Sequence, residues 1–204
     1  KEFGYGGVYR GVFPIKVNQQ RDVLDELVRA GRGWGLGLEA GSKAELAVAL
    51  SYPLDRDALV ICNGYKDKPY VRLALRGVAL GRPVYLIVEK PQELPLILDV
   101  VRETGIRPLL GMRIRLRARG AGKWEKSSGS GAKFGLSTQE LLDAVKRLRE
   151  EGFLDAFHLL HFHVGSQITE IKRIKDAVKE GARIYAKLRS DGCDMRILDV
   201  GGGL

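Results

Sequence analysis

Short apolar runs alternate with longer amphipathic ones along this chain. Seven of the short runs read as β-strands, over residues 12–17, 34–39, 58–62, 84–89, 110–116, 157–164 and 196–200. Between them the apolar spacing predicts helices over 20–31, 42–51, 67–81, 91–105, 137–151 and 169–191. The clearest is 137–151, where Leu141, Leu142, Val145 and Leu148 form one stripe with charges opposite. Boundary residues agree with the spacing. Ser42 and Ser137 stand where helix N-caps belong, Ser137 with Glu140 three residues on as a capping box. Gly31, Gly105 and Gly152 stand where helices should stop.

Strands alternating with helices in this way imply a parallel sheet. Seven such units match an incomplete (β/α)8 barrel, with a doubly wound open sheet as the competing α/β architecture. Both place chemistry at the carboxyl ends of the strands. Polar residues gather there: Lys16 and Asn18, Glu39, Asn63, Glu89, Arg113 and Arg115, His161 and His163, then Gly201, Gly202 and Gly203. Scattered surface polars would not choose the same end of successive strands, so the pattern points to an enzyme.

Composition narrows the setting. The chain has 204 residues, an ordinary apolar fraction of 45% and a net charge of +9. No stretch of eighteen apolar residues and no signal-peptide pattern occurs, so no membrane is expected. Cys62 and Cys193 lie far apart with no metal-ligand spacing, which fits a reducing cytoplasm. The densest positive charge runs from Arg113 to Lys133, with Trp124 its one aromatic. A nucleic-acid groove needs several stacking aromatics, so a solvated loop beside an anionic cofactor or substrate is the better reading.

Lys16 lies among apolar neighbours. If 12–17 is a strand throughout, Phe13, Ile15 and Val17 share one face and Lys16 points the other way. A lysine held there is partly stripped of water, which disfavours the ammonium and suits imine chemistry. The alternative is a strand-end lysine whose head snorkels to solvent. Glu39 is placed to pair with Lys16 or Arg113, or else to sit solvated at its strand end. His161 reads as a satisfied core histidine, whereas Gly165 and Ser166 directly follow His163. Glycine admits close backbone approach, and a serine hydroxyl beside free amides makes a small anion nest. The turn Gly201-Gly202-Gly203 could cradle phosphate, or a nucleoside as in a methyltransferase. That second use expects the turn at the first strand of a domain, not after six earlier units. The segment 127–135 has the composition of a plain linker.

Taken in order, Lys16, His163, Ser166 and the triglycine turn resemble the alanine-racemase-like, fold type III pyridoxal phosphate enzymes. Within them the chain is similar to the arginine-specific decarboxylases. The resemblance rests on residues 11–20, 37–46, 61–67, 122–124, 133–136, 160–167 and 199–204. The Lys-Val-Asn-Gln-Gln, Cys-Asn-Gly-Tyr-Lys and Gly-Lys-Trp segments carry the arginine subtype. Ornithine and diaminopimelate decarboxylases share the plan without them.

The resemblance implies pyridoxal 5'-phosphate as cofactor and decarboxylation of arginine to agmatine, an entry step to polyamines. Lys16 and His163 would be catalytic, Lys16 bonding the cofactor aldehyde and His163 stacking on its ring. Gly165, Ser166, Gly201, Gly202 and Gly203 would hold its phosphate, and Glu39 and Arg113 would line it. Residues 1–204 would be one partial cofactor-binding barrel domain of a longer homo-oligomer, inactive without an eighth strand and a C-terminal β-domain. The family also implies magnesium, for which no ligand cluster stands out. A single barrel that carries the cofactor without reacting is the remaining alternative.

Overall fold

The computed structural model describes residues 4, 6–116, 134–166 and 168–202. Seven strands form one sheet: β1 (Val12–Pro14), β2 (Gly37–Ala40), β3 (Val60–Cys62), β4 (Val84–Val88), β5 (Leu109–Ile114), β6 (Phe157–His163) and β7 (Ile197–Gly201). Six helices alternate with them: α1 (Arg21–Gly31), α2 (Lys43–Ser51), α3 (Lys68–Ala79), α4 (Glu93–Thr104), α5 (Thr138–Glu150) and α6 (Ile171–Ser190). Every strand pairs in parallel with its sequence neighbours, in the order β1 to β7 without reversal. A doubly wound sheet reverses its order at a switch point. This chain does not, and its topology is that of a (β/α)8 barrel over seven strands.

The helices begin and end for the reasons their sequence gave. Ser42 accepts from Glu45 N, and Ser137 with Glu140 closes the capping box. Asp67 caps α3 in the same way, accepting from Tyr70 N. Gly105 ends α4 in the left-handed region, φ +68°. Gly31 is instead needed for space, since a Cβ there would lie 2.4 Å from Leu36 Cβ.

The sheet divides two apolar clusters. Ile61, Tyr85, Ile87 and Leu159 meet on its inner face, joined by Val12, Leu59, Leu109 and Ile197. The larger cluster packs Leu38, Val60, Leu86, Met112, Leu160 and Phe162 against the helices. A sheet buried on both faces explains why β3 and β4 read as unbroken apolar runs. A register shift between Leu110 and Gly111 faces an extra residue on β6. It lets Phe157 join the outer cluster while Leu159 turns inward. Counting on by twos from Leu159 sends His161 and His163 inward as well.

The first three strands are all clearly shorter than the sequence predicts, β3 beginning at Val60 rather than Ala58. The second starts at Gly37, because Gly33 and Gly35 take positive φ and leave Trp34 exposed in a turn. The first ends at Pro14, and Ile15–Val17 form one 3-10 turn. That turn splits the supposed face: Ile15 is buried and Val17 is exposed.

Candidate active site

The inward positions continue past the apolar cluster into polar residues at the carboxyl ends of the strands. Glu39 lies opposite Pro14, Arg113 opposite His161, His161 opposite Asp199, and His163 opposite Gly201. Parallel pairing in sequence order thus collects on one rim residues as far apart in the chain as Glu39 and Gly201.

Lys16 Nζ lies 3.5 Å from Glu39 Oε1, with the lysine side chain 62% exposed and that of Glu39 13%. The expected pairing is present, but the expected stripping of water is not. The 3-10 turn lifts Lys16 off the strand, so only its carboxylate partner is largely buried. Arg113 does not pair with Glu39. Its Nη1 donates to Glu89 Oε1 at 2.5 Å, and Gly64 N donates to Glu89 Oε2 at 2.8 Å. Burial pushes the Glu89 carboxyl up, but Lys66 and Arg113 outweigh it, holding the group below the usual carboxylate range. The other strand-end cation, Arg115, turns to Glu140 of α5 at 3.0 Å.

His163 is pushed down to about 4, first by burial and then by the positive charges of Arg113, His161 and Lys16. It is therefore a neutral imidazole at neutral pH, and Arg113 and Lys16 are close enough for it to feel. His161 is buried, with Nδ1 2.9 Å from Asp199 Oδ2. The approach is too oblique for a hydrogen bond, and Nδ1 has no other partner. The two side chains are in close polar contact. That contact identifies Asp199 as a rim residue the sequence reading passed over, whose only signal was its two-residue spacing from Gly201.

The two glycine turns meet beside His163. Val164 N donates to Gly201 O at 2.8 Å. Gly202 has φ +147°, and a Cβ on it would lie 2.5 Å from Val164 Cγ2 and 2.9 Å from Gly165 O. A Cβ on Gly201 would strike His161 Cε1 at 2.5 Å. Side chains are thus excluded where main-chain amides must stay bare, and exposed Ser166 follows at the edge. Gly203, Lys133 and the Gly122-Lys123-Trp124 segment lie outside the described residues. So does most of the basic stretch, though Arg113 and Arg115 are held in ion pairs. Glu39 Oε1 and Asn63 Oδ1 are buried at this rim without a hydrogen-bond partner. A neutral imidazole beside a turn stripped of side chains fits a flat ring with an anionic end, whereas the Glu39 and Asn63 oxygens would accept from donors on such a group.

Among the described residues no helix is long and apolar enough to cross a membrane, and no three His, Cys, Asp or Glu converge to hold a metal. Cys62 and Cys193 are free and buried.

Residues 2–204 match the family described as pyridoxal-dependent decarboxylase, pyridoxal binding domain. The biosynthetic arginine decarboxylase of Deinococcus radiodurans is 51% identical over 203 residues, spanning all of this chain and 31% of that protein. That of Alkalilimnicola ehrlichii is 53% identical over 205 residues, 32% of its length. The chain therefore spans about a third of the length of the curated relatives it matches. Among solved structures, the biosynthetic arginine decarboxylase SpeA from Campylobacter jejuni superposes with a TM-score of 0.88 at 38% identity, covering all of this chain and 32% of the other. Diaminopimelate decarboxylase from Helicobacter pylori complexed with L-lysine, at 23% identity, shares the fold with a TM-score of 0.81 over all of this chain and 50% of its own.

Proposed function

Because the chain belongs to the pyridoxal-dependent decarboxylases, through their pyridoxal-binding domain, we propose that it is the cofactor-binding barrel of an arginine decarboxylase. The observation that carries this reading is the convergence of Lys16, Glu39, Arg113, His163 and the paired glycine turns on one rim. The level of identity to arginine decarboxylases, rather than to diaminopimelate decarboxylases, supports arginine as substrate.

Bound there, pyridoxal phosphate would supply an electron sink for the pair left behind as CO2 departs. Lys16 would hold the cofactor through its amine, and Glu39 would keep that amine at the rim. His163, neutral, would present a flat uncharged face to the ring without competing for protons. The bare amides around Gly165, Ser166, Gly201 and Gly202 would take the phosphate, with Gly203 of the same motif. Arg113, fixed by Glu89, would add positive charge from the neighbouring strand β5. The apolar inner cluster beneath would give the ring a dry floor.

The same reading makes residues 1–204 one domain of a longer, homo-oligomeric enzyme, and the buried free cysteines suit a reducing cytoplasm. Supplying the protein at its natural length with pyridoxal phosphate and carboxyl-labelled arginine should release labelled CO2 and leave agmatine. Release only from ornithine or diaminopimelate would reassign the substrate. Uptake of the cofactor with no release from any of the three would make the protein a carrier. The Lys16→Ala variant should lose the absorbance change that accompanies cofactor uptake.

A further inference from the structure

Lys66 follows β3 and is the one lysine among the described residues whose side chain is fully buried, at 0% exposure. A buried ammonium costs several kcal/mol unless it is paired, so its partners identify its work. Its Nζ donates to Gly64 O at 2.7 Å and lies 3.5 Å from Glu93 Oε2, at the start of α4. That same Glu93 oxygen accepts from Glu89 N at 2.7 Å. Gly64 N in turn donates to the Glu89 carboxylate, whose other oxygen receives Arg113. The contacts close into a ring running Lys66, Gly64, Glu89, Glu93 and back, with Arg113 projecting from it to the rim. Gly64 itself cannot be replaced by a residue with a side chain. It has φ +75°, and its Cβ position lies 2.2 Å from Gly41 O.

Glu93 alone does not account for Lys66. A lone buried carboxylate accepting from the Glu89 and Lys90 main-chain N–H groups could be replaced by a neutral acceptor with no lysine near it. The ring instead places one ammonium behind two carboxylates, Glu89 and Glu93, on the side away from Arg113. We infer that Lys66 is a positioning residue, which fixes Arg113 at the rim by clamping Glu89 through the main-chain groups of Gly64 and the carboxylate of Glu93. It touches neither substrate nor cofactor.

This rests on the proposed function, because Arg113 is read as a cofactor-lining group. The test is pyridoxal phosphate affinity, titrated by absorbance on the protein at its natural length. Lys66→Met should weaken binding about tenfold, the scale of coupling within a charge network. K66M/E93Q, neutral as a pair and still able to accept from Glu89 N and Lys90 N, should stay equally weak. Adding K66M to E89Q should cost nothing further, since the clamped group is already gone. Should Lys66→Met fail to fold, K66M/E93Q carries the comparison. Wild-type affinity in either variant, or full additivity with E89Q, would reduce Lys66 to local charge balance and overturn the inference. A wild-type protein that takes up no pyridoxal phosphate overturns the function beneath it instead.

Discussion

At the scale of single residues, the rim is tuned by burial as much as by charge. His163 titrates at about 4 in the folded chain against 6.5 for the free side chain. Below pH 6.5 the unfolded chain therefore binds a proton that the folded chain refuses, and stability must fall as pH drops from 6.5 towards 4. Above 6.5 the contribution is complete and flat. Urea midpoints of the cofactor-free protein across this window should show the loss, and His163→Asn should flatten it relative to wild type. Equal slopes for the two proteins would show that the proton goes elsewhere. The sequence marked His163 and Lys16 through their neighbours, yet it misplaced the surroundings of Lys16. A three-residue 3-10 turn has no period to read, and Val-Phe-Pro-Ile-Lys-Val looks like one strand. Arg113 was offered Glu39 for a partner because both stood at strand ends. Its actual partner, Glu89, is 24 residues away, and only the β4–β5 pairing brings the two together.

At the scale of elements, the chain was almost fully legible. Each of the six helices lies within two residues of its predicted range, because capping residues and the 3.6-residue stripe are local signals. Ser137→Ala removes the acceptor for Glu140 N and half of the capping box. It should cost about 1 kcal/mol, seen as a lowered urea midpoint with an unchanged slope. The glycine turn after β7 answers to different physics. Gly202→Ala forces a side chain into φ +147° and against Val164 and Gly165. A cost of about 2 kcal/mol or more is expected from strain and clash together. Cofactor affinity should fall alongside stability, whereas Ser137→Ala should leave affinity untouched. The register shift that turns His161 and His163 inward was illegible, since nothing in Phe-His-Leu-Leu-His-Phe-His says which residue is the extra one.

At the scale of the whole molecule, the two clusters on either side of the sheet carry different duties. The outer one binds helices to strands, and its helical half was visible in the sequence as apolar stripes. The inner one was not, because a strand apolar on both faces does not announce which residues look inward. Yet it is the inner cluster that supports the rim. Ile87 is buried in it, two residues before Glu89 on the same face, and approaches Gly111 so closely that a Cβ there would lie 2.4 Å from Ile87 Cδ1. Gly111 in turn stands two residues before Arg113. Ile87→Ala would open a cavity directly under the Glu89–Arg113 pair, and such cavities cost about 2–5 kcal/mol when the walls cannot collapse. A continuous parallel sheet gives little room for collapse, so the upper half of that range is expected. Leu80→Ala, at a site 82% exposed, should fall within about 0.5 kcal/mol of wild type. Urea unfolding of both variants gives the stability difference, and pyridoxal phosphate titration of the folded Ile87→Ala protein gives the second reading. Lower stability with weaker cofactor binding would mean that the barrel's interior holds the rim in shape. Lower stability with unchanged binding would mean that the strand ends and their ion pairs hold it alone.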